Sequence, residues 1–179
     1  MVITLCFVLF LVQKYAVGSD DSERCMTSCP KGEDKEEMGN HCYYWPISRR
    51  SWEDAELFCQ DKGGHLAAVT SLEIHNFLMK RVDKDDRYTW FWIGGSDKET
   101  EGTWKWTDGS PWIFTNWANE SVQQPNKPNL RHDCLQIYNN PYATNGWNDQ
   151  SCGYYHQYIC SWKLCSGNID LGGVVTDCL

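Results

Sequence analysis

The sequence predicts an α+β domain in which two helices combine with several short strands and disulfide bonds tie them together. Two segments in the first half repeat apolar residues at spacings of three and four, which is typical of amphipathic helices. Short aromatic segments bounded by Gly and Asp turns follow in the second half. Ten cysteines among 179 residues favour an oxidising compartment, because disulfides persist there.

Residues 1–18 are predicted to be a secretory signal peptide. An apolar run at 2–12 is followed by small residues at 16–18, as at a signal cleavage site. The run is shorter than the roughly 20 apolar residues that span a bilayer. A buried first helix and an uncleaved anchor are the alternatives. Cleavage would give a secreted, extracellular protein without membrane insertion, and it would remove Cys6 and leave nine of the ten cysteines.

Residues 19–40 are strongly charged and nearly free of large apolar side chains, so we expect them to be exposed, beginning with an acidic segment at 19–28. The formal net charge of −8 argues against a nucleic-acid partner, which would require a basic face. The nucleophile-elbow, zinc-protease and phosphate-loop motifs of common enzymes are absent from the sequence, and we expect no enzymatic activity.

Two helices are predicted between residues 51 and 82. Ser51 can cap the first helix with Asp54 in its first turn, and Gly63 and Gly64 end it. The apolar face of this helix consists of Ala55, Phe58 and Cys59. The second helix runs over residues 71–82. Its apolar side consists of Leu72, Phe77, Leu78 and Val82.

Short strands are predicted on both sides of these helices. An aromatic strand begins at Cys42, and two final strands lie around residues 134–138 and 155–162. Residues 108–133 are long, polar and irregular, and such loops in compact domains are usually functional or disordered. The tryptophans around the start of this stretch are expected to pack in the core rather than form a ligand platform. They are Trp104, Trp106 and Trp112.

The order of these features resembles the C-type lectin domain family over residues 29–162. The ordered motifs are WEDAELFC, GGHLAAV, SLEIHNFL, WIGG, EGTWKWTDG, QPN, DC, WND and YIC. The resemblance implies the C-type lectin fold, with two helices, mixed antiparallel sheets and a long irregular loop region that carries the site. It also implies the disulfides Cys29–Cys42, Cys59–Cys160 and Cys134–Cys152, and it leaves residues 163–179 as a C-terminal tail.

Three cysteines of the mature chain lie outside that disulfide frame. Cys165 and Cys178 in the tail could close on each other, which would leave Cys25 for a partner chain. Cys25 lies in the acidic N-terminal segment, where a second chain could reach it. We therefore expect a disulfide-linked homodimer, with a free or capped Cys25 thiol as the alternative.

The resemblance also maps a binding site. In sugar-binding members, a calcium ion held by the long loop and the next strand bridges to two sugar hydroxyls. The corresponding positions here are Gln124, Asn126, His132, Asn148 and Asp149. Calcium prefers six to eight oxygen ligands, and its affinity depends on their charge. Only Asp149 is acidic, and the nitrogen of His132 suits zinc or copper better. We therefore expect no cofactor and no high-affinity calcium site; residual calcium would be held by Gln124, Asn126, Asn148 and Asp149.

Without the ion, the same side chains can bind sugar hydroxyls directly through amide groups and the Asp149 carboxylate. Pro125 is expected to keep the cis bond that the family shows there, although only about 5–6% of X–Pro bonds are cis. Tyr142 is a candidate to pack on the apolar face of galactose, or else a plain surface residue. His132 is either a pH-sensing ligand contact or simply fills the place of a missing glutamate. Asn119 begins an N-glycosylation sequon.

The tripeptide at 124–126 combines the Gln of galactose-binding members with the Asn of mannose-binding members. Together with the predicted signal peptide and the extra N-terminal cysteine, this tripeptide makes the chain similar to the lactose-binding C-type lectins of fish skin mucus. The predicted function is a secreted lectin that agglutinates microbes through galactose- or lactose-containing surface glycans in innate mucosal defence. The alternatives are a calcium-dependent lectin with a weakened site and a non-sugar binder, of ice or protein, on the same fold.

Overall fold

A computed structural model of the chain describes residues 28–32, 34–82, 89–118, 124–125, 131–139 and 146–164. The two helices are α1 (Trp52–Asp61) and α2 (Leu72–Val82). The strands are β1 (Lys35–Met38), β2 (His41–Tyr44), β3 (His65–Leu66), β4 (Trp90–Ser96), β5 (Lys105–Trp106), β6 (Cys134–Tyr138), β7 (Gly146–Gln150), β8 (Gln157–Tyr158) and β9 (Cys160–Lys163). The predicted α+β class is confirmed.

The strands form two sheets. The first is four-stranded and antiparallel, in the order β1-β2-β9-β3. The second has the order β5-β4-β6-β7, with β8 added in parallel to β4. Backbone bonds of Ala67 join the sheets, because its N–H donates to Ile159 at 2.8 Å and its carbonyl accepts from Gly94 at 2.9 Å. The two sheets are therefore connected by a continuous network of backbone hydrogen bonds.

Strand β1 is a feature that the sequence analysis does not predict within residues 19–40, although none of the described residues 28–32 and 34–40 is buried; residues 19–27 lie outside the described residues. Lys35–Met38 pairs along its length with β2, and the hairpin turns at Gly39, whose φ of 60° favours glycine. Glu36 and Glu37 point to solvent while Met38 packs against the core. The charge misled the prediction because an edge strand needs little apolar surface, and charged side chains on an edge discourage pairing with another molecule.

Helix α1 begins and ends where the sequence predicts. The Ser51 hydroxyl accepts from the Asp54 N–H at 3.2 Å, and Gly63 follows the helix with a φ of 85°. The buried face of α1 differs from the predicted one. Glu56 is buried together with the expected Ala55 and Cys59, whereas Phe58 is only half-buried. A carboxylate at an interior position requires hydrogen-bond partners, and the next strand supplies them.

Glu56 joins α1 to β3. Its carboxylate accepts from the Leu66 N–H at 2.8 Å, from Gln60 Nε2 at 2.8 Å and from His65 Nδ1 at 2.6 Å. Burial alone would raise the pKa of Glu56, but these hydrogen bonds lower it overall. The hydrogen bond from the ring to Glu56 raises the pKa of His65, against the effect of partial burial. The pair is therefore most favourable when His65 is charged.

The predicted bounds of α2 are correct to within one residue, but its predicted face is partly wrong. Leu78 and Val82 are buried as predicted, but Leu72 is 54% exposed, and His75 and Met79 are buried as well. These four follow the spacing of one helical face, whereas Leu72 is the first helical residue and turns toward solvent. Phe77 is half-buried and packs against Tyr43 and Trp45 at centroid distances of 5.3 and 6.0 Å.

The tryptophans pack against the core as predicted, but Trp104 also lines the cavity described below, which the sequence analysis does not expect. Trp104 and Trp106 are buried, and Trp112 packs against the core with its ring 4.6 Å from that of Trp106. Trp147 meets Trp106 edge-on at 5.6 Å and is fully buried. Such edge-to-face pairs add about 0.5–1.5 kcal/mol beyond their buried area. The tryptophan cluster therefore forms the packed surface that the start of the long loop contacts.

Three disulfides link the described elements, in the pairs that the resemblance implies. Cys59–Cys160 joins α1 to β9 across 101 residues, Cys29–Cys42 ties the N-terminal segment to β2, and Cys134–Cys152 joins the start of β6 to the chain after β7. Cys25, Cys165 and Cys178 lie outside the described residues. In the described ranges, neither helix has the length and apolar character needed to span a membrane.

Removing Cys59–Cys160 by the double substitution Cys59→Ala and Cys160→Ala should lower the free energy of unfolding by about 4–5 kcal/mol, since the bridge restricts a loop of about 100 residues in the unfolded chain. Removing Cys29–Cys42, which spans 13 residues, should cost about 3 kcal/mol. Urea unfolding of both variants measures the difference. An equal loss would contradict the loop-length argument.

The Glu56–His65 pair should make stability depend on pH. The pKa of His65 is raised above 6.5 in the folded state, so its contribution is complete below pH 6.5 and is lost as the pH rises through the folded pKa. His65→Gln should therefore destabilise by up to about 1 kcal/mol near pH 5.5 and by less near pH 8.5. Lys62→Gln, an exposed cation at the end of α1, is the control and should show a flat difference. A His65→Gln difference that grows with pH would refute the sign.

Candidate functional site

The candidate site lies where three strands of the second sheet meet the long loop. Strand β6 pairs with β7 so that Cys134 faces Gln150 and Leu135 faces Asp149. The two residues before β6, His132 and Asp133, therefore emerge beside Asp149. The Asp97 N–H donates to the Asp133 carbonyl at 3.2 Å, which brings the turn after β4 to the same place.

A cavity of about 220 Å³ lies between these segments and is open to solvent. It is lined by Asp97, Glu101, Gly102, Trp104, Pro125, His132 and Asp149. One wall is apolar, from the Trp104 ring and Pro125, and the other is acidic. An apolar wall with a few directed polar groups is the usual composition of a small-ligand site.

The structure brings several of the predicted site residues together. His132 and Asp149 line the cavity, and Gln124 is buried at 4% exposure beside the lining residue Pro125, with the predicted cis Gln124–Pro125 bond. Asn148 precedes Asp149 on β7 and is half-buried, facing Gln136 across the ladder. Asn126, Tyr142 and the sequon residue Asn119 lie outside the described residues.

Sequence reasoning missed four lining residues, Asp97, Glu101, Gly102 and Trp104. Asp97 follows β4 directly, and its Oδ2 accepts from the Gly102 N–H at 2.9 Å, which closes a turn that presents Glu101. Gly102 has a φ of 77°, a conformation that favours glycine. The available signal was the Asp-x-x-x-Glu-Gly spacing after a buried strand, which indicates a carboxylate-stabilised turn at a strand end.

The site concentrates negative charge. Asp97 is 5% exposed, and burial raises its pKa despite the hydrogen bond from Gly102; the carboxylates of Asp133 and Asp149 raise it further. Desolvation and the carboxylates of Asp97, Asp133 and Asp149 also raise the pKa of Glu101 on the rim. Among the described residues, no lysine or arginine forms an ion pair with Asp97 or Glu101. The cavity is therefore attractive to a ligand that donates hydrogen bonds.

The donor set does not fit a calcium ion well. Of the five mapped positions, only Asp149 offers a carboxylate in the described residues, and His132 offers nitrogen to an ion that prefers oxygen. Asp97 and Glu101 line the same cavity, yet no three acidic, histidine or cysteine side chains in the described ranges converge as a metal-binding group.

The start of the long loop is fastened to β7 and to α2. The Trp147 N–H donates to the Asn116 carbonyl at 2.8 Å, and the Ala118 N–H donates to the Trp147 carbonyl at 2.9 Å. Asn116 Nδ2 lies 2.9 Å from His75 Nε2, and burial lowers the pKa of His75, which keeps the ring a neutral acceptor. The loop therefore leaves the core beside the strand that carries Asp149.

Comparison with known families identifies the domain. The sequence profile of the lectin C-type domain matches residues 48–162. This chain belongs to the C-type lectin domain family. A protein named lectin from Pleurodeles waltl is 32% identical over 161 residues, which covers 87% of this chain and 89% of that protein. Members of this family are generally binding domains rather than enzymes.

Other members differ in length and in what their names describe. CD209 antigen of Macaca mulatta is 37% identical over 135 residues, which covers 73% of this chain but only 31% of that protein. The carbohydrate-recognition domain of the mouse scavenger receptor C-type lectin superposes with a TM-score of 0.62 at 32% identity, covering 77% of this chain and 98% of that one. A calcium-independent type II antifreeze protein superposes with a TM-score of 0.63 at 29% identity, with the same coverage.

Substitution of Gly146 tests the fastening of the loop to β7. A Cβ at this position would lie 2.7 Å from the Ala118 nitrogen and 2.8 Å from the Asn116 carbonyl oxygen, and backbone atoms cannot yield as a side chain can. Gly146→Ala should therefore cost about 1–3 kcal/mol of stability. It should also reduce hydrogen-exchange protection of the Ala118 and Trp147 amides.

Gly153→Ala is the matched control, because nothing lies within 4 Å of a Cβ there. Its stability should stay within about 0.5 kcal/mol of the wild type. Unchanged exchange at Ala118 and Trp147 in Gly146→Ala would show that the loop is not fastened at this point.

Proposed function

We propose that this protein is a secreted lectin that binds galactose- or lactose-type glycans and agglutinates microbes without calcium. The observation that carries the proposal is the cavity in which His132 and Asp149 face an apolar wall of Trp104 and Pro125. Membership of the C-type lectin domain family and the solved carbohydrate-recognition domain among its structural relatives support it.

The chemistry of the cavity suits a sugar ring. A pyranose has an apolar face of C–H groups and a rim of hydroxyls, each of which donates one hydrogen bond and accepts others. The Trp104 ring can pack against the apolar face, as aromatic side chains do in many binding sites. The carboxylate of Asp149 accepts from hydroxyls, and Asn148 beside it on β7 is half-buried and able both to donate and to accept.

The ligand set supports calcium independence. A calcium-dependent site would need several carboxylates around one point, and among the mapped positions Gln124 and His132 are neutral or nitrogen-bearing. Their amide and imidazole groups still form directed hydrogen bonds with hydroxyls. A lectin of this kind should keep its activity when divalent cations are removed.

Agglutination requires more than one site per particle. A single sugar contact is weak, and linking two sites raises the overall avidity by about 10²–10⁴-fold where the geometry allows both to bind. The extra Cys25 would provide such a link as an interchain disulfide, in line with the lactose-binding lectins of fish skin mucus. Secretion, which this arrangement needs, is supported by the signal peptide that the sequence predicts at residues 1–18.

Ice binding is the second candidate, because solved type II antifreeze proteins superpose on this chain at 27–29% identity. An ice-binding face is flat and regular, whereas this cavity is concave and bears Asp97, Glu101 and His132. Thermal hysteresis of the purified protein distinguishes the two, and we expect none.

The deciding experiment is agglutination in EDTA with lactose as inhibitor. Lactose should block agglutination by the wild type, and Asp149→Asn should weaken lactose binding about tenfold or more, because a hydrogen bond to a charged group is lost. Asp61→Asn, an exposed acid at the end of α1, is the control and should leave binding unchanged. Abolition of agglutination by EDTA alone would overturn calcium independence, and failure of lactose to inhibit would overturn the sugar class.

A further inference from the structure

A group of aromatic side chains lies at the end of β4 that points away from the cavity. This aromatic strip consists of Trp90, Tyr154, Tyr155 and His156, the first three of which are exposed. Trp90 is the first residue of β4, whereas the cavity residue Asp97 follows its last residue. The strand between them is seven residues long, which separates the two places by about 20 Å. The proposed function therefore leaves these exposed rings unexplained.

The half-buried His156 holds the exposed rings of the aromatic strip in place. Its ring lies 5.8 Å from that of Trp90 and 6.0 Å from that of Tyr154, whose plane is parallel to it within 4°. The fully buried ring of Trp92 lies 4.7 Å from His156. The Trp92 indole N–H donates to the carbonyls of Arg50 and Tyr154 at 3.1 and 3.3 Å. Rings that are fixed in this way lose little conformational freedom when a ligand binds.

A guanidinium group borders the aromatic strip. The backbone of Arg50 pairs with that of His156 through hydrogen bonds of 2.9 and 3.0 Å, so the preceding Arg49 lies close to the histidine. Arg49 is exposed and forms no ion pair within the described part of the chain. Burial, together with the charge of Arg49, lowers the pKa of His156 to about 4, so the ring is neutral near pH 7 and Arg49 supplies the cation. A carboxylate is a natural partner for such a guanidinium.

The size of the aromatic strip favours a small ligand over a protein partner. Each partner in a stable protein complex buries about 800 Å². An aromatic side chain contributes about 150–250 Å² when it is completely covered. Trp90, Tyr154 and Tyr155 are exposed by only 37%, 56% and 64%, so together they fall well short of a protein interface. The C–H face of a pyranose ring is small enough to pack on them.

We propose that the aromatic strip and Arg49 form a second glycan-binding site, which selects sugars that bear a carboxylate. The exposed rings of Trp90 and Tyr154 pack against the C–H face of the sugar, and the Arg49 guanidinium donates hydrogen bonds to its carboxylate. This site is separate from the cavity and takes a different class of sugar from the one proposed there. A chain with both sites contacts a glycan-coated surface at two points, which raises its avidity.

The test compares two sugars that differ only in the oxidation of one carbon. D-Galacturonic acid and D-galactose are titrated separately into the mature chain in EDTA near pH 7. Binding is followed by NMR at the Trp90 indole N–H, which is assigned with Trp90→Phe. Galacturonic acid should bind about three- to fivefold more tightly than galactose, as expected for one exposed ion pair. Asp149→Asn, a change in the cavity, should leave both titrations at this signal unchanged.

Matched variants separate the contribution of the charge from that of the rings. Arg49→Gln should abolish the preference for galacturonic acid while leaving the affinity for galactose nearly unchanged. Lys105→Gln removes the same charge from an exposed position in β5 and should keep the preference, which controls for net charge. Tyr154→Ala should weaken binding of both sugars about two- to tenfold, because a packing surface is lost. Its side chain is exposed, so the variant should remain folded, and circular dichroism checks this.

Several results would overturn this second site without touching lactose binding in the cavity. Equal affinities for the two sugars, or no change at the Trp90 signal with either, would do so. A preference that survives Arg49→Gln, or that Lys105→Gln lowers equally, would exclude Arg49 as the carboxylate partner. Loss of the Trp90 response in Asp149→Asn would show that this signal reports the cavity. A changed oligomeric state of Tyr154→Ala in sedimentation would show that a second copy of the chain, and not a sugar, covers the rings.

Discussion

The pairing of β6 with β4 on one edge and with β7 on the other is the constraint on which the site depends. All five side chains of β6 are buried, and both of its edges carry ladder hydrogen bonds. A slip by one residue would exchange its two buried faces and break both ladders. His132 and Asp133 must therefore emerge beside Asp149, whatever path the long loop takes. The acidic wall of the cavity belongs to the core sheet and the turn after β4.

That rigid placement explains how the fold tolerates clustered charge. Keeping Asp97 nearly covered and close to Asp133 and Asp149 is unfavourable, as the raised pKa of Asp97 indicates. The Cys134–Cys152 bridge and the tryptophan cluster around Trp147 hold the surrounding strands in position. A less constrained sheet would relax the repulsion by moving the carboxylates apart. Here the strands keep Asp97 and Asp149 at the same cavity.

The sequence predicts features that local chemistry determines. The Ser51 cap, the glycine that ends α1 and the burial of Trp104 and Trp106 all follow from short-range rules, and the family resemblance supplied the disulfide pairs that spacing alone leaves open. The errors have a common cause. Strand β1, Glu56 and Asp97 are charged segments or residues that a sequence pattern presents as exposed. Their partners lie close in sequence, in β2, in Gln60, His65 and Leu66, and in Gly102, but only the structure shows that they pair. Leu72 is the opposite case, because it is apolar but exposed; it lies in the first turn of α2.

The site itself was predictable only in part, for the same reason. His132 and Asp149 were found because they fill positions of a known motif, and the structure brings both to one cavity. Asp97, Glu101 and Trp104 come from a separate turn about thirty residues earlier, whose register against β6 the sequence does not reveal. Their arrival beside Asp149 depends on the bulged pairing between β4 and β6, where the register shifts between Trp92 and Ser96.

The Cys59–Cys160 bridge has a consequence for cleavage of the chain by proteases. It connects the first helix to the last strand, so any single cut in the chain between those two cysteines falls inside a covalently closed loop. The long polar stretch before β6 lies within that loop, as do both walls of the cavity. A molecule cut once there therefore stays covalently in one piece.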